Sequence, residues 1–221
     1  MNENIIESND PSEFVILSEV IPDIINEIRY YTSYNFVGER IDGYEEPIAL
    51  LTKEAALALK KVNDELIKHG YRIKIFDAYR PRRAVKHFMK WSKDKDDDKM
   101  REFFYPDLDK ASIFESGYLA KNSAHSRGST VDITLFDMKL GKDVDMGSPF
   151  DFLGDISHPD SNKVTKKQFE NRMFLKDIMT SNGFKSIKSE WWHFVLENEP
   201  YPNTYFDFPV NSNSIKKTRN I

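Results

Sequence analysis

The chain has 221 residues, and its 32 basic and 36 acidic side chains give a formal net charge of −4. This length fits a single domain, and the charge balance, without a basic cluster, argues against nucleic acid or an anionic membrane as partner and favours a small molecule. The absence of cysteine excludes disulfides, thiolate metal sites and cysteine nucleophiles, so any metal must be held by histidine and carboxylate.

Both ends of the chain are polar. The first ten residues lack the basic and apolar regions of a secretory signal, and no run of about 18 apolar residues occurs. We therefore expect a cytoplasmic protein rather than a periplasmic one. Without an internal repeat or linker, we expect one domain at residues 13–210, between a flexible arm at 1–12 and a flexible tail at 211–221. The sequence leaves open whether the chain forms a homo-oligomer.

The first half of the chain contains the clearest secondary-structure signals. Apolar residues at three- and four-residue steps predict a helix from Thr52, its candidate N-cap, to His69. Residues Tyr71 to Asp77 alternate between apolar and basic side chains and predict a strand with one buried face. Pro81 suits the first turn of a second helix, which places Arg80 at a strand-to-helix junction.

The second half adds a strand, a helix and a further β segment. Apolar residues alternate over 131–135 and predict a strand that points Asp132 away from its apolar face. Thr165 and Gln168 form a capping box for a helix whose apolar residues lie on more than one face, which predicts a well-buried helix. The aromatic and β-branched stretch Phe184 to Leu196 predicts a strand or hairpin.

These elements predict an α+β domain with a central, largely antiparallel sheet flanked by helices. Helices and short strands alternate without the regular spacing of a βαβ array, and no glycine-rich phosphate loop follows a strand. The charged run at residues 92–99 is interpreted as a solvated loop or helix end rather than an acidic metal site.

Candidate metal ligands lie around a glycine. His125 precedes Gly128 and Asp132 follows it, so a turn at Gly128 would bring both side chains to one point. Imidazole and carboxylate suit tetrahedral Zn²⁺, and a catalytic site needs three protein ligands with the fourth position left to water. His193 is the candidate for the third ligand. Taken singly, each histidine is more often structural or exposed.

A second cluster runs from Glu190 to His193, with two tryptophans between them. Large rings that keep water out strengthen electrostatic interactions at such a place. On a regular strand Glu190 and His193 would point to opposite faces, so either a bulge intervenes or Glu190 precedes the strand. In isolation, Glu190 would be a salt-bridge partner and the two tryptophans would be core residues.

Arg80 is the candidate cation of the site. It follows an apolar strand, and we expect packing to hold its guanidinium in place, whereas the neighbouring Arg82 and Arg83 suit surface pairs with acids. A fixed and permanently charged fork is what a developing oxyanion requires.

Several sequence segments, taken in their order along the chain, together resemble the zinc D-alanyl-D-alanine dipeptidases of the vancomycin-resistance type. The main matching segments are Phe76–Val85, Ser123–Leu135 and Glu190–Leu196, and shorter ones are Asp42–Tyr44, Met146–Phe152 and Pro200–Pro209. The resemblance extends from about residue 14 to about residue 210, and it implies the fold of the D-Ala-D-Ala peptidases and the hedgehog signalling domain.

The resemblance implies roles for the candidate residues. His125, Asp132 and His193 match the family's zinc ligands, which implies one zinc ion per chain. Glu190 matches the catalytic base, and Arg80 matches the arginine that stabilises the transition state.

Three further residues fall where the family holds the two charged ends of its dipeptide substrate. They are Tyr30, Ser123 and Asp151. This sequence departs from the family pattern at Ala78, where glycine is expected, and at Ala124, where a second serine is common. Loss of that hydroxyl could loosen substrate binding or leave a water there.

The implied activity is zinc-dependent hydrolysis of free D-alanyl-D-alanine to two D-alanines. The alternative is a zinc D,D-carboxypeptidase that acts on peptidoglycan stem peptides. A non-catalytic zinc-binding module is disfavoured by the intact Glu190 and Arg80, because a structural metal site needs neither.

Overall fold

The computed structural model describes residues 5–115 and 117–218. The strands are β1 (Ile6–Ser8), β2 (Phe14–Ile16), β3 (Ile25–Asn26), β4 (Leu50–Thr52), β5 (Tyr71–Asp77), β6 (Thr130–Asp137), β7 (Lys142–Asp143), β8 (Phe184–Ser186), β9 (His193–Leu196) and β10 (Thr204–Phe206). The helices are α1 (Leu17–Val20), α2 (Lys53–Lys68), α3 (Arg82–Trp91), α4 (Arg101–Phe104), α5 (Lys166–Ser181) and α6 (Ser212–Thr218).

The central sheet has the strand order β3-β5-β6-β9-β8, and β7 pairs with the end of β6. β3 runs parallel to β5, whereas the other pairs in this sheet are antiparallel. β2 with β4 and β1 with β10 form separate two-stranded sheets. The predicted α+β class with a largely antiparallel sheet is therefore confirmed.

The core that supports the site includes the central strands and α2. Ile73 and Ile75 of β5, Ile133 of β6, and Leu59 and Leu66 of α2 are fully buried. Each side chain of this size contributes about 1.5–3 kcal/mol when it is removed from water. The predicted strand in β5 and the predicted helix in α2 are both confirmed, and their packing buries the middle of the sheet.

Thr52 precedes α2 as predicted, but its side chain does not cap the helix. Its hydroxyl makes no capping bond; instead, Thr52 Oγ1 lies 2.8 Å from Ser129 Oγ in a buried contact. The residue also ends β4, so its hydroxyl joins that strand to the segment before β6 and is not available to the helix.

α5 begins with the predicted capping box, formed by Thr165 and Gln168. The helix is less buried than its apolar residues predict, because Phe169 is 39% exposed while Arg172 is 1% exposed. The buried face of α5 is partly polar because the segment packed against it presents backbone carbonyls, which need donors rather than methyl groups.

Both predicted arms contain regular structure. β1 pairs with β10, and α6 lies within 211–221, where Ile215 packs into the core. The domain limits of 13 and 210 stay a prediction. The charged run at 92–99 forms a mostly exposed loop after α3, as predicted. Over the two described ranges, no helix combines the length and the hydropathy that a membrane crossing requires.

Candidate metal centre and adjoining cleft

The candidate metal ligands come from two neighbouring strands and a turn. Asp132 of β6 lies directly opposite His193 of β9 in the antiparallel ladder, so their side chains share one face. His125 approaches from a 3₁₀ turn that ends at Gly128 with a φ of +80°. A Cβ at Gly128 would lie 2.3 Å from the Phe14 ring, so glycine is required for this approach.

Donor atoms of these three buried residues face a common point. His125 Nε2 lies 3.2 Å from His193 Nδ1 and 3.2 Å from Asp132 Oδ2, and His193 Nδ1 lies 3.0 Å from Asp132 Oδ1. A tetrahedral zinc ion with bonds of about 2.0–2.1 Å separates its ligands by about 3.3 Å. The donor set and its spacing therefore fit three corners of a zinc site.

The surroundings of the ligands favour the forms that bind metal. His125 Nδ1 donates to Ala78 O at 2.7 Å, which leaves the lone pair on Nε2. Burial alone would raise the pKa of Asp132, but the charges and hydrogen bonds of His125 and His193 outweigh it and hold that pKa well below its usual range. Asp132 is therefore ionised, as a metal ligand must be.

Glu190 lies beside the ligands, in the turn before β9. Its Oε2 atom is 3.6 Å from His193 Nδ1. Of the two arrangements left open by the sequence, the structure has the one in which Glu190 precedes the strand. Burial, reinforced by the charge of Asp132, raises the pKa of Glu190 to about 8. A carboxyl group with such a pKa can both accept and release a proton near neutral pH.

Packing and ion pairing hold Arg80 in place, as its sequence context predicts. Its Nε donates to Asp77 Oδ2 at 2.9 Å, and its Nη2 lies 3.6 Å from Asp132 Oδ2. The guanidinium carbon lies 4.9 Å from the Tyr30 ring centre and 5.3 Å from that of Phe88. The fork is thus buried next to the metal centre and fixed from several directions.

Asp77 orients Arg80, a role that no sequence motif indicated. Asp77 is fully buried at the end of β5 and also accepts a hydrogen bond from Tyr44 Oη at 2.6 Å. Burial raises its pKa despite the charges of Arg80 and His125. The sequence did contain a signal, because the apolar and basic alternation of β5 stops at Phe76. There a bulge accompanies three consecutive buried residues, Ile75, Phe76 and Asp77.

Tyr30, Ser123 and Asp151 line a cleft over the metal centre together with the other predicted site residues. Tyr30 Oη donates to Asp151 Oδ2 at 2.8 Å. Burial, reinforced by the charge of Asp132, raises the pKa of Asp151 well above its usual range. The cleft encloses about 140 Å³, less than the roughly 300–1,000 Å³ of ordinary ligand pockets, and therefore suits a small ligand. Residues 117–120, which no sequence motif indicated, form another wall of the cleft.

A buried three-ligand centre with a carboxyl group beside it and a small cleft above it is typical of metal-dependent hydrolases. The profile of the D-ala-D-ala dipeptidase family (Peptidase_M15) matches residues 10–211. The chain belongs to this family, and it is a metallopeptidase.

Named relatives match over most of the chain. The D-alanyl-D-alanine dipeptidase of Enterococcus faecium is 41% identical over 197 residues, which is 89% of this chain and 98% of the relative. That of Enterococcus faecalis (strain ATCC 700802 / V583) is 40% identical over 198 residues, which is 90% of this chain and 98% of the relative. Among solved structures, the LdcB LD-carboxypeptidase has a TM-score of 0.45 and 18% identity, and the match covers 87% of this chain and 72% of that one. The predicted family resemblance is confirmed.

Proposed function

We propose that this protein hydrolyses free D-alanyl-D-alanine to two molecules of D-alanine with one zinc ion held by His125, Asp132 and His193. The observation that supports this most directly is the convergence of three donor atoms, 3.0–3.2 Å apart, beside the Glu190 carboxyl. The two enterococcal relatives are named for this activity.

Glu190 is the proposed general base. Bound zinc supplies a Lewis acid that lowers the pKa of a coordinated water to about 7 and polarises the scissile carbonyl. Glu190 takes the proton of the attacking water and delivers it to the departing amine of the second alanine. Its position 3.6 Å from His193 Nδ1 keeps the carboxyl next to the place where this water must lie.

Arg80 is the proposed oxyanion partner. Its guanidinium is buried, and Asp77 and the Tyr30 ring hold it before substrate arrives, so it does not need to reorganise during the reaction. Charge that is already oriented in a water-poor site stabilises a developing oxyanion more than a mobile surface cation would.

Asp151 is the proposed partner of the substrate ammonium group. An ammonium beside a buried carboxyl favours its ionised form and offsets the cost of burial. A substrate acylated at that nitrogen would lack the charge and would leave the buried acid unpaired, which costs several kcal/mol. This selects a free dipeptide over a longer peptide that ends in the same two residues.

Metal analysis and a D-alanine release assay on the purified chain test the proposal. We expect about one zinc per chain and rapid cleavage of D-alanyl-D-alanine, but poor cleavage of its N-acetyl derivative. Glu190→Ala, with zinc retained, is the control for a contaminating peptidase. Equal cleavage of both compounds would favour the D,D-carboxypeptidase alternative, and no release from either by zinc-loaded protein would overturn the proposed function.

A further inference from the structure

A single buried guanidinium holds the loop that carries Asp151. Arg172 of α5 donates from Nε to Met146 O at 2.6 Å and from Nη1 to His158 O at 2.7 Å. These two carbonyls are the ends of residues 146–158, here called the Asp151 loop. One side chain therefore closes the loop at its base and limits where Asp151 can lie.

The same guanidinium is linked through Ser148 to the side chain of Trp191, the residue after Glu190. Arg172 Nη2 donates to Ser148 Oγ at 3.3 Å, and this oxygen also accepts from Trp191 Nε1 at 2.9 Å. The guanidinium carbon lies 5.9 Å from the Trp191 ring centre, and the Trp191 amide donates to Ser157 O at 3.0 Å. Because Trp191 directly follows Glu190, these contacts fix the backbone from which the carboxyl extends.

Burial of the Arg172 guanidinium costs desolvation free energy, which a side chain that only filled the space would not incur. Arg172 is 1% exposed, and burial lowers its pKa to about 10, although Asp145 opposes the shift. An apolar side chain of similar length would fill the volume without this desolvation cost. What the planar fork adds is three donors at fixed angles, which neither an apolar side chain nor lysine can reproduce.

We propose that Arg172 is a positioning residue of the active site, acting on Asp151 through its loop and on Glu190 through Trp191. The inference rests on the proposed function, which assigns substrate binding to Asp151 and proton transfer to Glu190. A misplacement of about 1 Å can cost about 100-fold in rate. Arg172→Met should therefore raise KM and lower kcat for D-alanyl-D-alanine, each by about tenfold or more.

Two variants separate positioning from charge and from general stability. Arg172→Lys keeps the charge but loses the fork, so we expect it to remain impaired in both KM and kcat. Ile178→Ala removes a buried side chain six residues further along α5, and we expect it to lower Tm while KM and kcat stay at their wild-type values. If Arg172→Met does not fold, Ser148→Ala removes the shared acceptor and should shift KM and kcat in the same direction.

A double variant tests the route through Asp151. If Arg172 acts on KM by placing Asp151, Arg172→Met should raise KM less in an Asp151→Asn background than in the wild type. Full additivity of the two KM effects would contradict this route.

Amide hydrogen exchange supplies a readout that does not depend on activity. We expect Arg172→Met to speed exchange in peptides covering 146–158 and at the Trp191 amide, and to leave α2 unchanged. Wild-type KM, kcat and exchange in Arg172→Met, or equal kinetic losses in Ile178→Ala, would overturn the inference. If the wild-type protein cleaves no dipeptide, the proposed function fails, but the exchange comparison still decides whether Arg172 holds these segments.

Discussion

The Tyr30 hydroxyl donates to Asp151 Oδ2 at 2.8 Å inside the cleft. The carboxyl is thus held by a neutral donor, so the charge that it gains when the substrate ammonium favours its ionised form faces the substrate. Asp151→Asn keeps the shape of the side chain but removes this charge, and we expect KM for D-alanyl-D-alanine to rise by about 10- to 100-fold. Steady-state kinetics measure this, with Tyr30→Phe as a control that keeps the charge and should show a smaller rise. An unchanged KM in Asp151→Asn would assign the ammonium to another group.

Substitutions should distinguish the residues that bind the metal from the residue that transfers the proton. His193→Ala removes one of three ligands and is expected to lose most of the bound zinc, whereas Glu190→Ala should keep zinc and lose turnover. Metal content after gel filtration and D-alanine release on the same samples measure both properties. Near-normal kcat in Glu190→Ala would remove Glu190 as the base.

Arg80→Ala should lower kcat by about 10²-fold or more, as loss of an oxyanion-hole donor does in other hydrolases. Arg82→Ala is the matched control, since Arg82 pairs with Glu7 near the surface and does not line the cleft. Progress curves at saturating dipeptide measure kcat for both variants. Equal kcat values in the two variants would assign Arg80 to packing alone.

Gly128→Ala should destabilise the protein more than Gly183→Ala. Both glycines have a positive φ, +80° and +87°, which costs an alanine about 1–2 kcal/mol. An added Cβ at Gly128 would overlap the Phe14 ring, whereas nothing lies within 4 Å of one at Gly183. Overpacking adds about 1–3 kcal/mol, so the free energies of unfolding should differ by that amount in urea titrations. Similar values for both variants would mean that the ring moves aside without cost.

Lys74 should make stability fall at alkaline pH. Its Nζ donates to Glu27 at 2.9 Å and to Asp143 at 2.8 Å. Burial alone would lower the pKa of Lys74, but these carboxylates outweigh it and raise the pKa. A lysine whose pKa rises on folding stabilises fully below its unfolded value of about 10.4, and this contribution is lost as pH rises through the folded value.

Lys74→Met measures this contribution. The carboxylates are partly exposed, so we expect a cost of at most about 1 kcal/mol at neutral pH, and a smaller cost once the pH is above the unfolded pKa, where this contribution begins to fall. Urea unfolding of both proteins at neutral pH and near pH 11.5, above the unfolded value of about 10.4, gives the two differences. An equal cost at both pH values would assign the effect to packing of the aliphatic stem.

Local signals made much of the site predictable. His125 and Asp132 are close in sequence and separated by a glycine, so a single turn brings them together. Sequence alone could not choose between two placements of Glu190, because its orientation depends on where β9 begins, and no residue marks that start.

The supporting residues were harder to predict because their partners are distant or belong to the backbone. The buried position of Asp77 is explained by the hydrogen bond that it accepts from Tyr44, which precedes it by 33 positions. The buried position of Arg172 is explained by the two backbone carbonyls to which it donates. Because every residue has a carbonyl, no side-chain pattern indicates which ones an arginine will meet. The apolar residues of α5 lie on more than one face and predicted more burial than the helix has, because part of its buried face meets the backbone carbonyls of a loop.

The pairing of Asp132 with His193 across β6 and β9 makes the metal centre a product of sheet assembly. A slip of one position between these strands would send one of the two side chains to the far side of the sheet. Under the proposed function, zinc uptake by a preparation of the protein therefore reports that β6 and β9 have paired in the correct register.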